Sequence, residues 1–594
     1  MHLDFRIDAS RPVAHQLGLT LEFDLAADHE PGSPQLLFLA TWTPGSYLIR
    51  EYARHLGQVA TSDAGSGVDL PCRKVGKNRF EITTTATTRR VRVTYQVYAH
   101  DLTVRTADVT AEHAFWNNAC VLLWPAGEPG RPARLHIDHP ADWQLACSLP
   151  REPKQEDRAD HAGTVTTTLL ALDLDAAIDA PCLLGKFTRF DWAIDGVPHS
   201  IVLDGLAGIP PPASLVDDLT RIVTSARAVF EGPLPYRSYV FLCLFTAEGH
   251  GGLEHADSSA LLASRTAFVS DKGYREFLGL AAHELFHAWN VKRMRPVEFW
   301  RYDYENENHT ELLWLIEGWT AYYDDLLCRR AGLMRVDDYL ALLAKNIDIL
   351  RSTPGRLQLG LGASSFDAWI RLYRPDENTR NSSQNYYLNG SLAALCLDLF
   401  VRERSASGLG LDEVLRRLFA DTHGQGRGYT RNDVDTILRQ IAGEEAVRRL
   451  AELVDGPLDP DFRLALAGAG IRLTEKDRDR PHLGVTFAPG GTTIAGVEAG
   501  SPAHEAGIAP GDELLAVQQL RVDATRWQEV WKAVARIGAE AEILLSRRGV
   551  ITRCTVVPRR NRGTSVLELD PQPTPQQRLL RDAWLDPQGH GPAG

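Results

Sequence analysis

The stretch Leu280-Ala-Ala-His283-Glu284-Leu-Phe-His287-Ala-Trp289 holds two histidines four residues apart, a glutamate directly after the first, and no Gly or Pro. On a helix this spacing sets both imidazoles on one face, where they can reach one zinc ion, and leaves the glutamate beside the metal's open position. With 19 His and 77 acidic residues in 594, about 0.08 such arrangements are expected by chance. The predicted chemistry is hydrolysis by a metal-activated water, with Glu284 as general base. A catalytic zinc needs a third protein ligand. The sequence Leu312-Leu-Trp-Leu-Ile-Glu317-Gly318-Trp-Thr-Ala-Tyr-Tyr323 offers Glu317, an acidic residue in an otherwise apolar predicted helix. A buried carboxylate without partners is costly, so a metal, or an ion pair with Lys292 or Arg293, must satisfy it. Gly318 costs about 1 kcal/mol relative to Ala inside a helix, which predicts close packing or close backbone approach there.

The elements that carry these residues are legible from periodicity. Alternation at Leu17, Leu19, Leu21, Phe23 and Leu25, and again at Val91, Val93, Tyr95 and Val97, predicts a β-rich region over the first 180 residues, antiparallel and sandwich-like. In it, Trp42-Thr-Pro-Gly-Ser-Tyr47 reads as a turn. A helix is predicted over 214–230, a buried strand over 239–245, and further helices over 276–289, 311–330, 385–403 and 431–454. The middle of the chain is therefore α+β, with its helices grouped. The charged stretch 474–480 reads as a linker. Residues 482–558 read as a compact unit of short strands with one amphipathic helix through Trp527, Val530, Trp531, Val534 and Ile537. The tail from Asn561 is rich in Pro and Gln, with Leu580 and Trp584 spaced to dock one short helix. This predicts an N-terminal β domain at 1–180, a catalytic domain at 181–473, a C-terminal domain at 481–560 and a tail at 561–594.

Composition excludes several classes. Basic residues number 64 against 77 acidic, a net charge of −13, so no basic field favours nucleic acid as a partner. The eight cysteines lie far apart without a C-x-x-C pair and read as buried thiols of a reducing compartment. No run of about 18 apolar residues occurs. The N-terminus as written has no signal-peptide pattern, so a cytoplasmic location is expected.

The segments His283-Glu-Leu-Phe-His-Ala-Trp-Asn-Val-Lys-Arg293 and Leu313-Trp-Leu-Ile-Glu-Gly-Trp-Thr-Ala-Tyr-Tyr323, with 29 residues between His287 and Glu317, resemble the glycyl aminopeptidase family of zinc metallopeptidases. This family lies in the gluzincin group, whose third zinc ligand is glutamate. The likeness extends to Trp42-Thr-Pro-Gly-Ser-Tyr47, Gly251-Gly-Leu-Glu-His255 and Tyr386-Tyr-Leu-Asn-Gly390. It implies a thermolysin-like α+β catalytic domain with a helical bundle, and one Zn2+ per chain held by His283, His287 and Glu317. It also implies a substrate-side edge strand through Gly251, Gly252, Leu253 and Glu254, in which Glu254 binds the substrate's free α-ammonium. Tyr387 aligns with an oxyanion-stabilising tyrosine, although Asn389 stands where lysine is usual and Tyr386 competes for the role. The roles of His250 and His255 stay open.

The C-terminal unit resembles a PDZ domain. Leu483-Gly484-Val485 fits its carboxylate-binding loop, and Ala499-Gly-Ser-Pro-Ala-His-Glu-Ala-Gly-Ile-Ala-Pro-Gly-Asp-Glu-Leu-Leu515 fits its central signature. Such domains take an extended peptide C-terminus by strand addition, though here Gln518-Gln519 replaces the usual turn pair. The expected activity is zinc-dependent removal of small N-terminal residues, Gly and Ala preferred, from peptides with a free N-terminus. The alternatives are a zinc endopeptidase and a non-catalytic peptide-binding protein that works through the PDZ-like unit.

Overall fold

A computed structural model describes residues 2–30, 32–153, 163–405, 408–587 and 589. The chain forms two compact units, 1–309 with 422–428 and 310–421 with 429–594. The division at 309/310 falls inside the stretch 181–473 read above as one domain.

In the first unit the two alternating runs are strand partners. Gln16–Asp24 lies antiparallel to Arg90–Tyr98, with Leu17 opposite Val97, Leu19 opposite Tyr95 and Leu21 opposite Val93, and all six side chains buried. Period-2 alternation brings these side chains to one face, and register then stacks them across strands. Both strands belong to a six-stranded sheet, and two four-stranded sheets complete the β-rich region. One pairing departs from the expected antiparallel pattern, because Leu3–Asp8 runs parallel to Ala133–Pro140. These strands are joined by a long stretch of chain rather than a hairpin, so the connection does not dictate their relative direction.

A fourth, five-stranded sheet, mixed in direction, has the order Thr188–Ile194, Val197–Asp204, Tyr239–Thr246, Ser258–Ser264, Gly251–Glu254. Tyr239–Thr246 is its central strand, parallel to both neighbours, which accounts for its unbroken apolar run. Gly251–Glu254 is an edge strand, as expected. Helix Leu215–Phe230 buries Leu219, Ile222, Val223, Ala226 and Phe230, and the Phe230 ring stacks on Trp289 at 5.2 Å and 3°. That contact anchors the C-terminal end of the histidine-bearing helix, Asp271–Phe286, whose N-terminus is capped by Ser270.

His113 lies between Asp204 (2.6 Å) and Asp108 (3.0 Å) and is nearly buried. Burial lowers its pKa, but hydrogen bonds to both carboxylates outweigh this and raise it from 6.5 to about 9. A group whose folded pKa is raised adds stability that is complete below its unfolded value and lost as pH climbs through the folded value. Urea-unfolding free energy is therefore expected to fall by about 2–3 kcal/mol between pH 6 and pH 10, and His113→Gln to flatten that slope. An unchanged slope in the variant would refute this assignment.

In the second unit a π-helical turn, Trp314–Trp319, leads into helix Thr320–Arg330. Helix Leu388–Arg404 crosses that turn at Gly318 and Gly390, where a Cβ built on Gly318 would stand 2.7 Å from the Gly390 Cα. The close approach inferred from Gly318 is this crossing. The helix expected over 431–454 is two helices, Arg431–Ala442 and Glu444–Val454, because Gly443 (φ 77°) breaks the ladder between them. The stretch read as a linker starts as a strand instead. Ile471–Lys476 pairs antiparallel with Thr564–Leu569, so the region after Asn561 contributes a strand.

Residues 481–560 form short strand pairs, a four-stranded sheet and helix Trp527–Val534, packed on Leu483, Ile494, Val497, Leu514, Trp531 and Ile543. Ile537 lies beyond the end of that helix and is exposed. At Gln518-Gln519 the chain still makes a two-residue hairpin, with Gln518 at φ 55°. The terminal helix Pro575–Leu585 docks through Trp584, as the spacing predicts, with Leu585 buried beside it and Leu580 half-buried. Trp584 Nε1 donates to the Tyr322 hydroxyl (2.7 Å), and Arg330 Nε donates to the Trp584 carbonyl (2.9 Å). Residues 588 and 590–594 of the expected tail lie outside the described residues. Among the described residues no helix is long and apolar enough to cross a membrane.

Candidate active site

His283, Glu284 and His287 share the last turn of Asp271–Phe286 and its C-cap. The two Nε2 atoms are 3.2 Å apart, with the rings nearly perpendicular at 80°. Nitrogens at about 2.0–2.1 Å from a tetrahedral zinc stand roughly 3.3 Å from each other, so this spacing fits a shared metal. His287 Nδ1 lies 2.8 Å from the Asn290 carbonyl. A proton on Nδ1 donated to that oxygen leaves Nε2 as a lone-pair donor, the arrangement metal-bound histidines favour. The turn that supplies the carbonyl is strained, with Val291 at φ 113°, a conformation β-branched residues rarely adopt. It is held by bonds from Lys292 N to the His287 carbonyl (3.0 Å) and from Met294 N to the Trp289 carbonyl (2.9 Å).

Glu284 is buried against the edge strand Gly251–Glu254. A Cβ on Gly252 would stand 1.9 Å from its Oε1, so only glycine lets the carboxylate lie on the strand. Tyr239 donates its hydroxyl to the Glu284 carbonyl (3.3 Å) and ties the helix to the sheet's central strand. Glu254, Glu284 and His287 bring their ligand atoms within 4.8 Å of one another. Gly251 opens the edge strand. Leu253 points into the core with Val202, Leu242, Leu244 and Ala260, so any substrate contact of its own is through its backbone. His250 is exposed and outside the cluster. His255 is fully buried, with Nδ1 3.0 Å from Asp179 Oδ1.

Asp179, which no motif marks, ties down the residues that follow Glu254. Its carboxylate takes Lys292 Nζ at 2.8 Å, His255 Nδ1 at 3.0 Å and the Ala256 amide at 2.8 Å. Burial pushes its pKa up, but Lys292 and His255 prevail and hold it well below the usual carboxylate range. Arg293 pairs with Asp257 at 2.6 Å. Both cations weighed as partners of Glu317 are thus engaged elsewhere. A fully buried lysine did call for a carboxylate, but the sequence does not say which.

In the second unit Glu317 sits in the π-helical turn with 2% of its surface exposed, too little for solvent to carry its charge. Tyr386 and Tyr387 precede helix Leu388–Arg404, with rings stacked 5.0 Å apart. Burial first, and the Glu317 charge next, push the Tyr387 phenol far above its ordinary pKa; for Tyr386 burial again leads, followed by Tyr373 and Glu317. Both stay protonated and able to donate. Tyr386 is fully buried whereas Tyr387 is half-buried, with its hydroxyl 3.4 Å from that of Tyr373, which favours Tyr387 as the one that meets a ligand. Asn389 is turned inward, donating to Gln384 Oε1 (3.0 Å).

Two family models match the chain, the M61 glycyl aminopeptidase over residues 276–393 and the Peptidase M61 N-terminal domain over 4–186. The first spans His283, Glu284, His287, Glu317 and Tyr387. An aminopeptidase N family protein from Idiomarina loihiensis has a crystal structure similar over 98% of this chain and 100% of its own, at 29% identity and TM-score 0.88. The chain is a metallopeptidase. A mutant M1 zinc metallopeptidase from Deinococcus radiodurans, bound to a Tyr-Ser-Ala substrate, covers 78% of the peptidase and 95% of its own chain at 19% identity and TM-score 0.50, a likeness of fold. No curated protein matches the peptidase in sequence.

Proposed function

We propose that the peptidase is a zinc-dependent aminopeptidase that removes small N-terminal residues, Gly and Ala foremost, from peptides. The observation that carries this reading is the close set of Glu254, Glu284 and His287, in which Glu254 Oε1 is buried without a hydrogen-bond partner among the described residues. A carboxylate oxygen in that state is costly unless a cation meets it. The free α-ammonium of a peptide is such a cation, and it arrives with every exopeptidase substrate. The preference for small residues rests on the family resemblance.

His283, His287 and Glu317 would hold the zinc, two facing imidazole nitrogens and a buried carboxylate being a suitable donor set. When bound, the metal supplies a Lewis acid that activates water and polarises the scissile carbonyl. The chain's own residues do the rest. Glu284 accepts the water's proton and delivers it to the leaving amine. Glu254 accepts hydrogen bonds from the α-ammonium, which fixes the bond presented for cleavage. Tyr387 donates its phenolic proton as a hydrogen bond to the developing oxyanion.

In the C-terminal region a cavity of 420 Å³ is lined by Leu483, Gly484, Val485, Trp527, Trp531 and Lys532. Its setting between strand Val485–Phe487 and helix Trp527–Val534 supports reading it as a PDZ-like cleft for a peptide C-terminus.

The test compares Gly- and Ala-peptides with free and acetylated N-termini, alongside metal analysis of the same sample. Cleavage is expected for free termini, with one zinc per chain. Equal cleavage of the acetylated peptides would move the assignment to an endopeptidase, and no cleavage by a zinc-loaded sample would leave peptide binding.

A further inference from the structure

The Trp42-Thr-Pro-Gly-Ser-Tyr47 segment belongs to the N-terminal β region, and nothing above gives it a task. In the fold it touches the substrate-side strand. Thr43-Pro44-Gly45-Ser46 is a tight turn closed by the Ser46 amide on the Thr43 carbonyl (3.0 Å), with proline at its second position and Gly45 at φ 91° in its third. A Cβ built on Gly45 would stand 2.3 Å from Glu254 Oε2, 2.6 Å from Glu254 Cδ and 2.7 Å from Leu253 Cδ1. The Glu254 carboxylate therefore rests on the bare face of this turn.

The turn is held firmly from behind. Trp42 is fully buried, donates Nε1 to the Asp303 carbonyl (2.8 Å) and stacks on Tyr304 at 5.4 Å. Tyr47 stacks on Phe299 at 4.6 Å. Ser46 Oγ accepts from Arg50 Nε (3.1 Å) and Nη2 (2.8 Å). Aromatic packing on this scale fixes the backbone far better than one surface turn could fix itself. Lys292, whose charge Glu254 also feels, gives its hydrogen bond to Asp179. Oε2 rests against the turn, while Oε1 is buried with no hydrogen-bond partner among the described residues.

We propose that the 42–47 turn is the fixed wall of the α-ammonium pocket and that Gly45, by lacking a side chain, sets where the Glu254 carboxylate stands. This rests on the aminopeptidase reading of Glu254. Gly45 is a positioning residue, acting on substrate through Glu254. A displaced carboxylate still leaves the histidines and Glu284 in place, so the loss appears in capture of the free N-terminus rather than in metal content.

The test is a double-variant cycle on the full-length zinc-loaded chain, with Gly45→Ala, Glu254→Asp and both together, assayed on free and acetylated Gly-peptides. Gly67→Ala serves as control for backbone strain, since Gly67 also has positive φ (74°) but nothing within 4 Å of its Cβ position. Gly45→Ala is expected to raise KM for free peptides by on the order of 10–100-fold with zinc content unchanged. In the Glu254→Asp background, where the shorter side chain makes room, the same change should cost less than about threefold. Ser46→Ala, which loosens the turn and inserts nothing, should raise KM by about threefold and keeps the test open if Gly45→Ala does not fold. Unchanged KM in Gly45→Ala, full additivity in the cycle, or, where that variant does not fold, unchanged KM in Ser46→Ala would overturn the proposal. Should Glu254→Ala, which removes the carboxylate, leave the preference for free over acetylated peptides intact, the reading of Glu254 itself fails, and this inference with it.

Discussion

Glu284→Gln is expected to lower kcat by on the order of 10²–10⁴-fold while the protein keeps its fold and its zinc. The amide has nearly the shape of the carboxylate and fits the same slot against Gly252, where a single Cβ would already collide. Packing is therefore preserved, and what disappears is the capacity to take a proton from water and return it to the leaving amine. Because the loss lies in a step after binding, KM should move far less than kcat. Steady-state assays on a Gly-peptide, with zinc content and thermal melting measured on the same preparation, check this. Turnover within a few-fold of the parent would remove Glu284 from the mechanism.

Asp179→Asn is expected to destabilise the protein by about 3–5 kcal/mol, the range for breaking one partner of a buried ion pair. Lys292 has 1% of its side chain exposed and sits 2.8 Å from Asp179, so loss of the negative charge leaves an ammonium that water cannot reach. The same carboxylate also fixes His255 and the Ala256 amide, the residues directly after Glu254 in the chain. Activity on free N-termini should fall together with stability. The pH dependence follows from the lowered Asp179 pKa. A carboxylate held below its ordinary value of 3.8 contributes stability that is full above that value and lost as pH falls through the folded one. The parent should thus lose stability steeply in acid, and Asp179→Asn should lose less over the same interval. Urea midpoints at pH 7 and at about pH 2, inside the window below 3.8, measure both effects. Equal midpoints for parent and variant at pH 7 would show that the pair does not hold the site together.

The helix that carries His283, Glu284 and His287, the buried central strand Tyr239–Thr246 and the partner strands Gln16–Asp24 and Arg90–Tyr98 were all legible as patterns in the chain. Each depends on a periodicity that neighbouring residues impose on one another. The misread elements are those in which a local signal met a longer-range competitor. The charged stretch after Thr474 looked like a linker, yet Ile471–Lys476 alternates and finds a distant partner in Thr564–Leu569. The spacing of Leu580 and Trp584 did give a docked helix, but the burial of Leu585 beside Trp584 depends on where Tyr322 and Arg330 stand.

The same division holds within the site. The spacing of the two histidines, the position of Glu284 between them and the apolar setting of Glu317 are properties of short segments, and a single helical turn is enough to give them chemical meaning. Asp179 and Lys292 lie 113 residues apart, and Gly45 meets Glu254 across a still longer stretch of chain. Among 77 acidic residues no spacing rule selects the one that a buried lysine will find. Such pairs are set by the path of the folded backbone and by the cost of leaving a charge unpaired inside it, and both come into being only when the sheets and helices have closed around them.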